Sequence, residues 1–209
     1  MQSKNIAYTN KLNLAGWSEG AAAGMAVQKY IQENGIADVS PTSASFMGGS
    51  YSNYDLTNFV LNYDEEVPVL SVYGRTLLAY DVYSKINRSV SFCFNQPFAS
   101  HYQIQYFPPS AFSALTADVF TNTFQNGFLS GTNPLVTVLQ KDDVSNWLPT
   151  IPVYLMAGEL DEWVPAFQNV NAYERIKAKG GDVTAKIFEG YGHGFDEYIS
   201  ESQAFFERN

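Results

Sequence analysis

The sequence predicts an α/β protein three layers thick: a mostly parallel sheet between helices, with a long, largely helical segment inserted part-way along the chain. Three observations carry this expectation. Apolar runs at residues 11–15, 39–47, 151–158 and 183–188 alternate with stretches of helical period, and strands separated by helices call for parallel pairing with helices on both faces. Short loops after three of those runs bear Ser18, Asp161 and His193, and open parallel sheets collect their reactive groups at the carboxyl ends of strands. Residues 50–145 differ from both flanks, being rich in Tyr and Phe and interrupted by Pro68, Pro97, Pro108, Pro109 and Pro134. The expected organisation is a core built from residues 1–49 and 146–209, with residues 50–145 as an inserted unit.

A chain of 209 residues, 45% hydrophobic and 16% charged, is long enough for one substantial core. No run of about 18 apolar residues suggests a membrane span. Twelve Lys and Arg against twenty-one Asp and Glu give a net charge of −9, which argues against nucleic acid, because a phosphate-backbone binder needs a basic face. Cys93 is the single cysteine; it excludes an internal disulfide and reads, between Phe92 and Phe94, as an apolar filler. Residues 1–5 lack the charged and apolar regions of a signal peptide.

Residues 4–9 read as a helix end or a loop leading into the first strand, residues 11–15, which its apolar content marks as buried. In Gly16-Trp17-Ser18-Glu19-Gly20 the pattern G-x-S-x-G reverses a strand sharply into a helix and pushes the serine outward in a strained conformation. Chance supplies this pattern in about one chain in fifteen of this length, so its context decides. Ala21, Ala22, Ala23, Met25, Ala26, Val27, Tyr30 and Ile31 continue a helix that stops at Asn34-Gly35. The strand 39–47 is closed by Gly48-Gly49. Within the insertion Val69, Val72, Tyr73, Thr76, Leu77 and Tyr80 recur at helical spacing, as do Phe112, Leu115, Val119 and Phe120, and then Leu135, Val138 and Leu139. These stripes read as insertion core, or as the lining of an apolar pocket. The strand 151–158, a helix over 166–179 ended by Gly180-Gly181, the strand 183–188, a glycine-rich loop Gly190-Tyr191-Gly192-His193-Gly194 and a helix over 195–206 complete the alternation.

A serine hydroxyl is a weak nucleophile until a base takes its proton, and imidazole is the usual base because it titrates near neutral pH. A carboxylate then fixes the imidazole tautomer and stabilises the imidazolium. The order Ser18, Asp161, His193 suits a serine elbow on an α/β sheet. Competing readings make Ser18 a helix N-cap and Asp161 a cap on the helix near Pro165, with Glu159 or Glu162 as the acid. His101, between Ser100 and Tyr102, is the other histidine and reads as a surface or pocket-lining residue, the competing reading making it the base. Asp196 and Glu197 read as first-turn helix residues.

The residues Gly16-Trp17-Ser18-Glu19-Gly20, then 152–158 with Asp161 and Val164-Pro165, then Gly190-Tyr191-Gly192-His193, resemble the second half of an α/β-hydrolase, particularly the bacterial esterases similar to secreted lipases. The resemblance implies a lid over an acyl pocket for residues 50–145 and carboxylic ester hydrolysis through an acyl-enzyme: Ser18 attacks, His193 transfers the proton, Asp161 orients His193, and the Glu19 backbone N–H donates to the oxyanion. Peptide or amide hydrolysis by the same triad is the nearest alternative, and a non-catalytic binding or assembly module is an alternative of a different class. No metal or organic cofactor is called for; the expected partner is a small acyl or aryl ester. The chain also departs from the family, which places several strands and the loop carrying a second oxyanion donor before the elbow. Here about ten residues precede the first strand. The expectations drawn are an N-terminally shortened sheet, an exposed strand edge that self-association would cover, and, from the resemblance, a secreted or periplasmic location for a longer form.

Overall fold

Side chains on a strand alternate between faces, so a parallel sheet covered on both sides needs apolar residues at successive positions, divided between two cores. The computed structural model, which describes residues 11–36, 39–103, 113–194 and 196–209, shows this division directly. In chain order its elements are β1 (Leu12–Trp17), α1 (Glu19–Asn34), β2 (Pro41–Met47), α2 (Asn53–Asn62), β3 (Glu66–Val67), α3 (Leu70–Tyr83), α4 (Val90–Cys93), α5 (Phe98–Gln103), β4 (Ala114–Leu115), α6 (Thr116–Val119), α7 (Asn122–Leu129), α8 (Pro134–Lys141), β5 (Val153–Gly158), α9 (Phe167–Ala178), β6 (Val183–Phe188) and α10 (Glu197–Arg208). The chain divides into two compact units, Met1–Tyr51 with Val144–Asn209, and Ser52–Asp143.

The first unit holds a four-stranded sheet in the order β1-β2-β5-β6, with every pairing parallel. Ala44 and Phe46 of β2 and Val153 and Leu155 of β5 enter one core with Met25 of α1 and Ala172 and Ile176 of α9. The alternate residues Met47, Tyr154 and Met156 enter a second core with Tyr198 and Phe205 of α10. The sheet is therefore the middle layer, with α1 and α9 on one face and α10 on the other. β5 is buried at all six positions, as its unbroken apolar run predicts. β1 differs from the expectation of a buried strand: it lies at the sheet edge, and only Leu14 and Gly16 are partly covered. No described strand pairs with its outer side. Periodicity reports which residues are apolar, whereas edge position depends on strand order.

The unit Ser52–Asp143 is largely helical, with one two-stranded antiparallel ribbon, β3 and β4. Its packing is aromatic: Phe120 lies 5.2 Å from Phe94 and 5.3 Å from Phe124, ring centre to ring centre. α3 and α8 fall on the stripes that predict them. The third stripe gives a different result. Phe112 lies outside the described residues, Leu115 pairs with Glu66 in the ribbon, and α6 is a single turn before Phe120 bridges to Phe94. Cys93 is buried, and that burial pushes its thiol up to about 11, an inert apolar filler rather than a nucleophile.

Candidate active site

Ser18 stands between β1 and α1 with φ 57° and ψ −129°, a conformation that costs an L-residue about 1–3 kcal/mol. Gly16 makes the turn geometrically accessible, because a Cβ there would lie 2.2 Å from the Gly20 carbonyl oxygen. At Gly20 a Cβ would meet nothing within 4 Å, so only the first glycine of the pattern is sterically required. The Ser18 backbone N–H donates to the Met47 carbonyl at 2.8 Å, which fixes the turn to the end of β2. Its side chain makes no capping bond to α1. The N-cap reading thus fails for the hydroxyl, which lies instead 2.8 Å from Nε2 of His193.

His193 occupies the glycine-rich loop after β6, and its Nδ1 lies 2.8 Å from Oδ2 of Asp161. The Asp161 side chain is fully buried and that of His193 is 14% exposed. Asp161 uses its other oxygen to accept the backbone N–H groups of Trp163 at 2.9 Å and Val164 at 2.8 Å. The carboxylate therefore shapes its own loop while facing the imidazole; it does not cap α9, which starts at Phe167. Three residues separated by up to 175 positions form one chain of contacts, Asp161 to His193 to Ser18.

The alternatives sit elsewhere. Glu159 accepts the Gly190 backbone N–H at 3.0 Å and braces the histidine loop. Glu162 is exposed. Glu197 lies in the first turn of α10 and accepts the Tyr191 hydroxyl at 3.0 Å, and Asp196 precedes that helix without a side-chain capping bond. His101 lies on α5, and its side chain falls outside the described residues. The Glu19 backbone N–H heads α1 beside Ser18, among the first four helical N–H groups, which have no partner within the helix. Among the described residues no group of three or more His, Cys, Asp and Glu is gathered as for a metal ion, and no helix is long and apolar enough to cross a membrane.

Four contributors escape a reading of motifs. Gly48, with φ 53°, ends β2 against the Asp161–His193 pair, where a Cβ would lie 3.3 Å from Asp161 Oδ2 and 3.5 Å from His193 Nδ1. At Gly158 a Cβ would lie 2.2 Å from the Gly192 carbonyl oxygen, so the end of β5 admits the histidine loop only as glycine. Trp17 donates its indole N–H to the His193 carbonyl at 2.9 Å. Tyr198 is buried beneath the site, and burial, followed by the charge of Asp161, raises its hydroxyl above the usual tyrosine value. For Gly48 and Gly158, Gly-Gly and strand-Gly endings were visible as signals; their partners were not.

No family model matches this sequence, and no curated protein matches it. Solved structures do. The chain is similar to a candidate hydrolase from Legionella pneumophila, at a TM-score of 0.76 and 18% identity over 99% of this chain and 58% of that one. It is similar to the rice cell wall degrading esterase LipA from Xanthomonas oryzae, with a TM-score of 0.74, 18% identity and the same coverage. Candida antarctica lipase A matches at 0.67 and 19% identity, over 99% of this chain and 50% of that one. The chain thus spans 58% of the length of the first two structures and half that of the third. The parallel sheet, its flanking helices and this structural likeness show that the chain has an α/β-hydrolase-like fold.

Proposed function

We propose that this protein is a serine hydrolase that cleaves carboxylic esters of acyl or aryl type through an acyl-enzyme. The observation that carries the reading is the pair of 2.8 Å contacts made by one imidazole, to Ser18 Oγ and to Asp161 Oδ2. In this mechanism His193 Nε2 accepts the Ser18 proton as Oγ bonds to the ester carbonyl carbon. Asp161 holds Nδ1–H and stabilises the imidazolium. The carbonyl electrons move to oxygen, which the Glu19 N–H receives as one donor. Collapse expels the alcohol, which takes the proton from His193; water then repeats the sequence on the acyl-serine, with His193 as base. The chemistry needs neither a metal nor an organic cofactor. The helical unit, Ser52–Asp143, serves as the lid in this reading, and its aromatic content favours apolar acyl or aryl groups.

Hydrolysis of p-nitrophenyl esters of graded acyl length tests the proposal. The expected result is turnover by the parent protein and a fall of at least about 10³-fold in kcat for Ser18→Ala. Equal rates for parent and variant contradict it and favour a non-catalytic binding module. Preferential turnover of p-nitroanilides over esters assigns the same triad to amide hydrolysis.

A further inference from the structure

The loop that carries His193 is built for freedom: Gly190, Gly192 and Gly194 surround the histidine. The imidazole must nevertheless meet two atoms at once, Ser18 Oγ and Asp161 Oδ2, each at 2.8 Å. Backbone contacts hold the start of the loop, Leu160 N–H to the Tyr191 carbonyl at 2.8 Å and Gly190 N–H to Glu159. At His193 itself, a main-chain restraint comes from a side chain 176 positions away, the indole N–H of Trp17 donated at 2.9 Å.

Trp17 is a strange surface residue unless it has this task. Its side chain is not core filling, since the residue is 52% exposed. It precedes Ser18 directly, so a closed circuit runs from Ser18 through the Trp17 backbone and indole to the His193 carbonyl, and back through the imidazole to Ser18 Oγ. The ring lies 5.2 Å from the imidazole, centre to centre. Gly194 makes room for it: a Cβ at that position would lie 3.2 Å from Trp17 Cζ2. The acid side of the site repeats the arrangement. Trp163, whose backbone N–H is held by Asp161, stacks on the same imidazole with 18° between planes and 5.9 Å between centres. Each of the imidazole's two polar partners is thus coupled through a nearby backbone to an indole whose centre lies within 5.9 Å of the imidazole's.

We infer that Trp17 is a positioning residue for His193, holding the imidazole in the rotamer that meets Ser18 and Asp161 together, with Trp163 as the second restraint. The inference rests on the reading of His193 as the base. A base misplaced by a fraction of an ångström loses rate without losing substrate affinity.

The test joins kinetics to proton NMR of the imidazole Nδ1–H, the resonance assigned by its absence in His193→Ala. Trp17→Phe keeps a ring and removes the donor; it is expected to lower kcat about tenfold with KM within twofold, and to broaden the Nδ1–H resonance through faster exchange with water. Gly194→Ala, which crowds the indole without altering the serine turn, is expected to do the same at a near-parental melting temperature. Trp163→Phe, retaining a stacking face, is expected to restore most of the kcat that Trp163→Ala loses. Unchanged kcat and an unaltered resonance in both Trp17→Phe and Gly194→Ala overturn the inference. The resonance does not depend on turnover: broadening in the two variants of a protein that hydrolyses no ester supports the positioning role and rejects the proposed reaction.

Discussion

Ser18 and Asp161 each combine a backbone duty with a place beside the imidazole. At Ser18 the strained φ of 57° aims the hydroxyl away from the helix it precedes; at Asp161 one oxygen ties the loop and the other meets His193. Removing charge while keeping shape separates these duties. Under the proposed mechanism, Asp161→Asn is expected to preserve the fold and lower kcat by about 10³–10⁴-fold, because the amide offers its NH₂ group or a neutral oxygen where that mechanism needs an anion to stabilise the imidazolium; steady-state ester kinetics beside circular dichroism check it. The two glycines of the serine turn give a sharper contrast. Gly16→Ala forces a Cβ onto the Gly20 carbonyl and is expected to cost about 3 kcal/mol or more in urea denaturation, whereas Gly20→Ala, in open space on a helix, is expected to stabilise by about 0.5 kcal/mol. Ser18, Asp161 and His193 were legible as candidates because each follows a strand, and the structure brings their side chains together. Trp17 and Gly48 were not, since their significance lies in contacts with His193 across 176 and 145 positions, and adjacency of that kind leaves no local pattern.

At the scale of elements, the parallel sheet was legible from four apolar runs with helices between them, and β6 falls on residues 183–188 as read. Two departures have physical causes. β1 is exposed because it ends the sheet order, a property of topology rather than composition. Residues 115–120 carry helical spacing yet form a strand end and one turn, because Phe120 is fixed by Phe94 and Phe124 in an aromatic core that outweighs local period. α10 provides a measurable element-level effect. Glu201 on that helix pairs with Lys186 of β6 and accepts the Tyr154 hydroxyl at 3.1 Å. The Lys186 ammonium, followed by the tyrosine hydrogen bond, holds its carboxyl below the usual 4.5 against the opposing pull of burial. A lowered folded-state value means that the contribution is complete above the unfolded value and disappears as pH falls through the folded one. Glu201→Gln is therefore expected to lower stability near neutral pH and to leave a shallower acid-side decline below 4.5; urea melts between neutral pH and pH 3 measure both.

Across the whole molecule, the helical unit enters and leaves between Tyr51 and Val144, and the Val144 N–H donates to the Tyr51 carbonyl at 3.0 Å. Ends already in contact suit a short bridge, because closing a small loop adds little entropy cost. Replacing residues 52–143 with a linker of about four Gly and Ser residues is expected to leave a cooperatively unfolding α/β unit; loss of cooperative unfolding contradicts the independence of that unit. The α/β-hydrolase-like fold was readable from the order of strands, helices and the three loops, and the solved structures share it while running to greater length. The central claim is that Ser18 is a nucleophile activated by His193 and Asp161. Treatment with a fluorophosphonate, followed by peptide mass spectrometry, tests it most directly: the account predicts a phosphonyl adduct on Ser18 that disappears in His193→Ala, whereas an unmodified Ser18, or equal labelling without His193, contradicts it.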